Sequence, residues 1–242
     1  MPSRRLDWPD CRNTRDLGYL PRPGGLTRPR VLVRSDNLLS LNPDGQEALL
    51  AYGVTTVIDL RSESEVARSP SPFATSDAST SSAPAYKHLP LIDDATMRKL
   101  AEAADMFERY LIMLELRSIA FAGIFTTLAR AEGTVVFHCF AGKDRTGMVA
   151  ALSLALAGVG VDAIAADYAE TDSQMATRYA EWLSAAAPDQ LEEMRDDLRC
   201  PPERIVGVLE HLDQRWGGAG GYLDAAGVAR ADISRLRSKL SD

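Results

Sequence analysis

The feature that most constrains this chain is a polar loop that joins an apolar strand to an apolar helix. Residues 134–138 (TVVFH) are β-branched or apolar, which is typical of a short strand buried on both faces. Residues 144–157 have helical spacing and are apolar over most of their length. The loop that starts at Cys139 must therefore lead from the end of a buried strand directly into the first turn of a helix.

The rest of the chain alternates between strand and helix patterns. Residues 54–60 (VTTVIDL) predict a second strand covered on both faces. Helical spacing over residues 95–116 places several apolar side chains on one face, which predicts core packing for Met106, Tyr110, Met113 and Leu114. Further helices are predicted at 43–52, 119–131, 162–187, 189–198, 202–215 and 230–240. Strands separated by helices indicate an α/β fold with a central, mainly parallel sheet flanked by helices.

We expect one domain over residues 1–242, because no linker or internal repeat interrupts this pattern. Residues 69–85 consist mostly of Ser, Ala, Pro and Thr. Such a composition buries too little apolar surface to offset its ordering entropy, so it predicts a mobile surface insertion. The helical residues 172–215 are a candidate lid over a site.

Composition and charge limit the environment and the partners of the chain. The 242 residues are 45% hydrophobic and carry a net charge of −7, which argues against a nucleic-acid partner. The N-terminus has no apolar signal segment, and the longest apolar stretch, 148–161, is too short to span a bilayer. The three cysteines show no disulfide or metal spacing. We therefore expect a cytoplasmic protein without stable membrane insertion. The sequence does not indicate its oligomeric state.

Cys139 and Arg145 stand in C-x5-R spacing, which fits one tight turn of backbone around an anion. Inward-pointing N–H groups at a helix N-terminus bind a tetrahedral dianion, and Gly142 permits a backbone conformation that a side chain would resist. Arg145 can grip two phosphate oxygens, and the same positive field favours the nucleophilic thiolate of Cys139. The spacing predicts hydrolysis of phosphate monoesters through a covalent phosphocysteine, without a metal or other cofactor.

The predicted site follows from this geometry. The phosphate-binding residues are Phe140, Ala141, Gly142, Lys143, Asp144 and Arg145. Two neighbours are expected to support the loop. His138 would brace it by hydrogen bonding, and Thr146 would hydrogen-bond the thiolate of Cys139 when that group leaves in the second step.

The segment HCFAGKDRTG (138–147) resembles the phosphate-binding loop of the bacterial tyrosine/serine phosphatases. Other segments that resemble this family are NTRDLG (13–18), RSDNL (34–38), VIDLRSESE (57–65), DYAET (167–171), GGYL (220–223) and AGV (226–228). The resemblance implies the cysteine-phosphatase fold and activity on phosphotyrosine, sometimes on phosphoserine or phosphoinositides. The Ser-rich insertion and the length of the region between residues 93 and 134 depart from the family.

Four aspartates are candidates for the general acid. Asp144 lies within the loop, so it is close to any leaving oxygen, and we favour it. Asp59 is next, because it ends a buried strand at the edge where α/β sites form, although it could instead pair with Arg61 or Arg34. Asp93 is third. Asp10 belongs to a Trp-Pro-Asp triplet at the extreme N-terminus, which we regard as a chance match.

Three alternatives remain open from the sequence. A phosphoinositide phosphatase would use Lys143 as an extra positive charge, whereas that lysine could instead be an ordinary solvated loop residue. A non-catalytic phosphate-binding module would use the same loop without turnover. A rhodanese-type sulfurtransferase also places a reactive cysteine in a six-residue loop, but it does not call for Thr146 and Gly147. The expected partner is thus a phosphorylated protein or a phosphoinositide.

Overall fold

The computed structural model describes residues 3–74 and 83–241. Its strands are β1 (Arg15–Asp16), β2 (Pro21–Arg22), β3 (Gly25–Leu26), β4 (Leu32–Ser35), β5 (Val54–Asp59), β6 (Ala85–His88) and β7 (Thr134–His138). Five of them form the central sheet in the order β1-β4-β7-β5-β6, and β2 and β3 form a separate hairpin. All neighbours in the central sheet are parallel except β1 and β4. The predicted α/β fold with a mainly parallel sheet is confirmed.

Helices occupy most of the chain between and after the strands. Within the described ranges they are α1 (Pro43–Ala51), α2 (Glu63–Arg68), α3 (Asp94–Ala101), α4 (Met106–Leu116), α5 (Ser118–Arg130), α6 (Asp144–Leu156), α7 (Val161–Ala185), α8 (Leu191–Leu198), α9 (Pro202–Trp216), α10 (Ala219–Ala225) and α11 (Arg230–Ser241). The prediction of one helix over 95–116 is wrong. The chain breaks there because the Asp105 side chain accepts a hydrogen bond from the Glu108 backbone N at 2.8 Å and starts a new helix.

The central sheet is covered on both faces, as the apolar strands predicted. In β7, Val135 and Phe137 belong to the large core that contains the buried faces of α4, α5, α6 and α9. Val136, between them, faces the opposite side and packs in a smaller core with Trp8 and Leu49. Because successive side chains of a strand point to opposite faces, a strand buried on both sides needs the unbroken apolar run seen here.

Four strand ends meet at one edge of the sheet. The strand pairing aligns Ser35 with His138, His138 with Asp59, and Asp59 with His88. This is the carboxyl edge of the parallel strands, where α/β proteins place their sites. The polar loop leaves the central strand β7 at this edge, as the sequence predicted.

The sequence predicted a mobile Ser-rich insertion at 69–85 and a candidate lid at 172–215. Of the Ser-rich insertion 69–85, residues 75–82 lie outside the described part of the chain. Within 172–215, α9 belongs to the core through four buried residues, Ile205, Val208, Leu209 and Leu212, so it is not part of a lid. Two parts of 172–215 reach the phosphate loop. The end of α8 meets Lys143 at Asp197, and Trp182 of α7 stacks on Phe140 with ring centroids 5.6 Å apart.

None of the described helices has by itself both the length and the hydropathy of a membrane span. Helices α4 and α5 reach those values only as a pair, and the pair is bent by 78°.

Candidate active site

The loop from Cys139 to Arg145 connects β7 to α6 and carries the predicted nucleophile at its start. Cys139 is buried, with 3% of its surface exposed. Gly142 has φ +68°, and a Cβ placed there would lie 2.6 Å from the carbonyl oxygen of Ser35 and from the backbone N of Asp36. Glycine is thus required at this position both by its left-handed backbone and by the close approach of the end of β4.

Hydrogen bonds from outside the loop hold its carbonyl oxygens. The backbone N and the side-chain Nδ2 of Asn37 both donate to the Phe140 oxygen at 3.0 Å. Asn13 Nδ2 donates to the oxygens of Ala141 and Gly142 at 3.1 and 3.2 Å. Carbonyls that are fixed on the outer side of a tight loop leave the N–H groups for its inner side, which is the arrangement that binds an anion.

A buried ionic cluster behind the loop fixes this arrangement. Arg34 Nη2 donates to the Gly142 oxygen at 2.7 Å, and its Nη1 bonds Asp167 Oδ2 at 2.6 Å. Arg15 and Arg4 bind the other oxygen of Asp167, at 3.0 and 2.7 Å. Burial opposes the charge of Asp167, but Arg15 and Arg34 outweigh it and hold the pKa of Asp167 well below its usual range. Asp167 therefore stays ionised near neutral pH and keeps its contacts with these arginines.

Arg145 is held by a carboxylate from another element. Its Nη1 and Nη2 bind the two oxygens of Glu65, with Nη2 at 3.0 Å from Oε1. Burial favours a neutral Glu65, but the hydrogen bonds and charge of Arg145 lower the pKa of Glu65 to about 2. Glu65 also accepts a hydrogen bond from the Ser62 backbone N at 2.8 Å in a capping box that starts α2. The guanidinium is thus oriented before any substrate arrives.

Asp144 is the one of the four candidate acids that lines the pocket beside the loop. Its side chain is one-third exposed. One of its oxygens, Oδ1, accepts a hydrogen bond from the Tyr110 hydroxyl at 2.6 Å and lies 3.3 Å from Lys143 Nζ. A carboxyl that is anchored through one oxygen and open to the pocket can transfer a proton through the other.

Asp59 is at the predicted sheet edge, but it is fully buried against Arg61. The Arg61 Nη2 lies 2.6 Å from Asp59 Oδ2, and the Tyr86 hydroxyl donates to the same oxygen at 3.0 Å. Burial opposes ionisation, yet the Arg61 hydrogen bonds outweigh it and lower the pKa of Asp59 to about 2. A carboxyl that is ionised and fully hydrogen-bonded in this way is a poor proton donor near neutral pH. Asp59 thus pairs with Arg61, which is the alternative to an acid role given in the sequence analysis.

The other two aspartates are not among the residues that line the pocket beside the loop. Asp93 caps α3, where it accepts hydrogen bonds from the Thr96 backbone N and hydroxyl at 2.7 and 2.8 Å, and it also pairs with Arg117. The Thr96 hydrogen bonds lower the pKa of Asp93. Asp10 is exposed in a turn whose tryptophan, Trp8, is anchored in the smaller core.

Of the two residues predicted to support the loop, His138 forms the expected hydrogen bond and Thr146 does not. His138 Nδ1 lies 3.1 Å from the Cys139 oxygen, and since a carbonyl only accepts, Nδ1 carries the proton. Burial lowers the pKa of His138, so the ring is neutral as it braces the loop. Thr146 Oγ1 is buried without a hydrogen-bond partner in residues 3–74 and 83–241, so the expected bond to the Cys139 sulfur is not formed in this structure.

Lys143 is not a solvated loop residue, which corrects one alternative from the sequence. It is buried, and its Nζ donates to the backbone oxygen of Asp197 at the end of α8. The Asp197 side chain is in turn bound by Arg109 Nη1 at 2.9 Å. These contacts bring α8 and α4 to the edge of the loop.

A pocket of about 420 Å³ opens beside the loop. One wall is polar and is formed by loop residues 141 and 143–145 together with Arg109 and Asp197. The facing wall is apolar and comes from the segment before α3, from α3 and α4, and from the end of α8, with Ile92, Met97, Leu100, Ala101, Met106, Met113 and Leu198. A phosphate held by the loop would therefore carry its organic group into apolar surroundings.

Several of these residues were missed as parts of the site by sequence reasoning. Tyr110 was predicted as core only, although its hydroxyl reaches Asp144. Asp197 and Arg109 carried no signal at all, because their places depend on how α8 packs against α4. Asn13, Arg34 and Asp167 did carry a signal, since all three lie in segments that resemble the phosphatase family.

The comparisons with known proteins agree with this geometry. The model of the tyrosine phosphatase family matches residues 6–242. The chain is 32% identical over 253 residues to the triple specificity protein phosphatase PtpB of Mycobacterium tuberculosis (strain ATCC 25618 / H37Rv), which covers 88% of this chain and 91% of that protein. It is 32% identical over 222 residues to a tyrosine-protein phosphatase of Nostoc commune, covering 87% and 74%. The chain therefore belongs to the tyrosine phosphatase family, as its loop and the segments around it indicated.

Proposed function

We propose that this chain hydrolyses phosphotyrosine, and with it phosphoserine, in proteins through a phosphocysteine intermediate on Cys139. The observation that carries the proposal is the loop whose carbonyls are fixed outward by Asn13, Arg34 and Asn37. Such a loop offers its N–H groups to one tetrahedral anion, with a buried thiol at its start and Arg145 at its end. The names of the relatives, all phosphatases, favour turnover over a non-catalytic binding module.

The reaction proceeds in two displacements at phosphorus. In the first, the Cys139 thiolate forms the S–P bond while the bond to the ester oxygen breaks, and Asp144 gives its proton to that leaving oxygen. In the second, a water attacks phosphorus and gives a proton to the Asp144 carboxylate. The S–P bond then breaks and releases phosphate and the thiolate. The loop N–H groups and Arg145 hold the other phosphate oxygens in both steps.

The pocket favours an aromatic or otherwise apolar ester over a phosphoinositide headgroup. The cations that line the pocket among the described residues already have partners. Arg109 binds the Asp197 side chain, Lys143 binds the Asp197 backbone oxygen and lies near Asp144, and Arg145 binds Glu65. A second phosphate on an inositol ring would share these cations with the acceptors that already bind them, which weakens its attraction to the pocket. The flat ring of phosphotyrosine instead matches the apolar wall.

A substrate panel at fixed enzyme concentration tests this function. It compares a phosphotyrosine peptide, a phosphoserine peptide, a short-chain phosphoinositide and p-nitrophenyl phosphate. Phosphotyrosine should be the best of the three natural esters. A phosphoinositide that is hydrolysed faster than both peptides would contradict the proposal.

The Asp144→Asn variant tests the acid in the same panel. Because p-nitrophenolate leaves without help, loss of the acid should slow the phosphotyrosine peptide by about 100-fold and p-nitrophenyl phosphate far less. Asp59→Asn and Asp93→Asn are the matched controls. If one of the controls shows this dependence on the leaving group and Asp144→Asn does not, that aspartate is the acid.

A further inference from the structure

Two buried tyrosines extend from the core to the proposed acid. The Tyr110 hydroxyl lies 2.6 Å from Asp144 Oδ1, and the Tyr168 hydroxyl lies 2.8 Å from that of Tyr110. The two rings meet edge to face, with centroids 6.3 Å apart. Both side chains are shielded from solvent, with exposures of 0% and 1%. Neither hydroxyl can exchange these partners for water without opening the core.

The proton count fixes the direction of this chain of hydrogen bonds. Tyr110 has one hydroxyl proton, and when Asp144 is ionised its Oδ1 can only accept, so Tyr110 donates to it. The Tyr110 oxygen then accepts the proton of Tyr168. Burial raises the pKa of Tyr110 well above its usual value, and Asp144 raises it further, so the phenol remains a donor at any assay pH.

The same contacts distinguish the two oxygens of Asp144. Tyr110 and the Lys143 ammonium both face Oδ1, at 2.6 and 3.3 Å. Two donors on one oxygen leave the acidic proton to the other, because a protonated Oδ1 would oppose Lys143 and lose the hydrogen bond from Tyr110. Oδ2 is thus the oxygen that carries the proton toward a leaving group.

Packing holds this pair of tyrosines against the phosphate loop. A Cβ added to Gly147, in the second turn of α6, would lie 3.3 Å from the Tyr168 ring and 3.7 Å from Arg34 Nη2. Arg34 is the side chain that holds the Gly142 carbonyl. The glycine that ends the loop motif therefore allows Tyr168 to approach α6 closely, and Tyr168 in turn positions Tyr110.

We propose that Tyr110, supported by Tyr168, is a positioning residue that directs the proton of Asp144 to Oδ2 and so to the leaving oxygen. This inference rests on the proposed role of Asp144 as the general acid. Proton transfer from Asp144 would then depend on the hydroxyl of Tyr110 in α4, which lies 34 residues away in the chain.

The test is Tyr110→Phe, which removes the hydroxyl and keeps the ring. Tyr222→Phe is the matched control, since it also removes one buried hydroxyl, which donates to the Leu114 oxygen at 2.8 Å away from the loop. Both variants are compared by thermal unfolding, by their rates on a phosphotyrosine peptide and on p-nitrophenyl phosphate, and by the pH dependence of kcat/KM.

Tyr110→Phe should slow the phosphotyrosine peptide by about tenfold, part of the usual contribution of a general acid, and p-nitrophenyl phosphate much less. The alkaline limb of its pH–rate profile should move to higher pH, because the carboxylate of Asp144 loses a hydrogen-bond donor. The other titratable or charged groups near that carboxyl are unchanged in this variant; among the described residues they are Lys143, Arg145, Tyr168, Tyr179 and Cys200. Tyr168→Phe should act in the same direction with a smaller effect.

The outcomes separate this inference from the proposed function. If Tyr110→Phe behaves like Tyr222→Phe in both the substrate ratio and the pH limb, while Asp144→Asn shows the dependence on the leaving group, the inference is wrong and the function stands. If Asp144→Asn itself shows no such dependence, the proposed acid is wrong, and the inference falls with it.

Discussion

Glu65 holds both terminal nitrogens of Arg145, with Arg145 Nη2 at 3.0 Å from Glu65 Oε1. Two parallel hydrogen bonds between a guanidinium and a carboxylate fix the plane of the arginine as well as its position. The plane matters, because the guanidinium must present its remaining N–H groups to two phosphate oxygens at once. Glu65 lies in α2, far from the loop in the chain. It therefore orients the Arg145 guanidinium before the anion binds.

The first prediction concerns this pair. Glu65→Gln should lower kcat/KM on every substrate by about tenfold, since a charged partner of Arg145 becomes a neutral one and the orientation weakens. The effect should appear largely in KM. Glu63→Gln, at an exposed position in the first turn of the same helix, is the control and should match the wild type. Equal rates for both variants would remove Glu65 from the site.

The second prediction concerns the nucleophile. Cys139→Ser should lose hydrolysis by at least about a thousandfold while the melting temperature is kept, because a serine hydroxyl does not ionise near neutral pH. Burial raises the pKa of the Cys11 thiol to about 12, with Asp36 adding to the effect, so Cys11 stays protonated. Iodoacetamide should therefore inactivate the wild type, and Cys11→Ser should remain both active and sensitive. For the Cys139→Ser variant itself, activity above about a tenth of the wild-type value would contradict the mechanism.

The third prediction concerns metals. The proposed binding of phosphate uses loop N–H groups and Arg145, which supply the charge stabilisation that a metal provides in other phosphatases. Activity should be the same before and after EDTA treatment, whereas vanadate should inhibit by occupying the loop. The measurement is kcat/KM on p-nitrophenyl phosphate after dialysis. Loss of activity that a divalent ion restores would overturn the mechanism.

The fourth prediction concerns Gly142. Gly142→Ala should lower kcat/KM by at least about tenfold and stability by about 1–3 kcal/mol, because its φ is +68° and its Cβ would meet the backbone of β4. Gly123→Ala is the matched control: it lies within α5, with nothing within 4 Å of the added Cβ. That variant should gain up to about 1 kcal/mol. Chemical unfolding measures both changes, and a Gly142→Ala variant as active as the wild type would contradict the geometry.

The sequence was informative wherever the structure is local. The strand, the loop and the helix from residue 134 to 157 are continuous in the chain, so their order and the conformation of Gly142 could be read directly. The edge position of Asp59 was also predictable, because parallel strands end together. Its burial against Arg61 was open, since a strand-end carboxylate can face either a site or a neighbouring side chain.

The remaining parts of the site depend on packing between distant segments. Lys143 meets Asp197 only because α8 returns to the loop 54 residues later. Tyr110 illustrates the limit best: its helical position correctly predicted a buried ring, but no pattern in the sequence shows where a buried hydroxyl points. The break between α3 and α4 was missed for a related reason. The apolar spacing continues across it, although α3 ends at Ala101 and Asp105 starts α4 as its N-cap.

The last prediction concerns acid stability and Asp59. The folded pKa of Asp59 is about 2, below the ordinary value of about 3.9 for an unfolded chain. The ionised carboxylate therefore contributes its full stability above about pH 5, and that contribution is lost as the pH falls toward 2. Asp59→Asn should lower the free energy of unfolding at pH 7 by about 3 kcal/mol, since Arg61 stays buried without its counter-charge. The difference from wild type should shrink as the pH falls.

Urea unfolding at pH 7, 5 and 3 measures this dependence. Asp93→Asn is the control, because asparagine still caps α3 and the lost pair with Arg117 is half-exposed, so at most about 1 kcal/mol should change. The folded fraction of Asp59→Asn should keep the wild-type ratio of rates on phosphotyrosine and p-nitrophenyl phosphate, because Asp59 acts on the scaffold and not on the leaving group. A difference in stability that is the same at pH 7 and pH 3 would show that the Asp59 carboxylate is not the ionised partner of Arg61 described here.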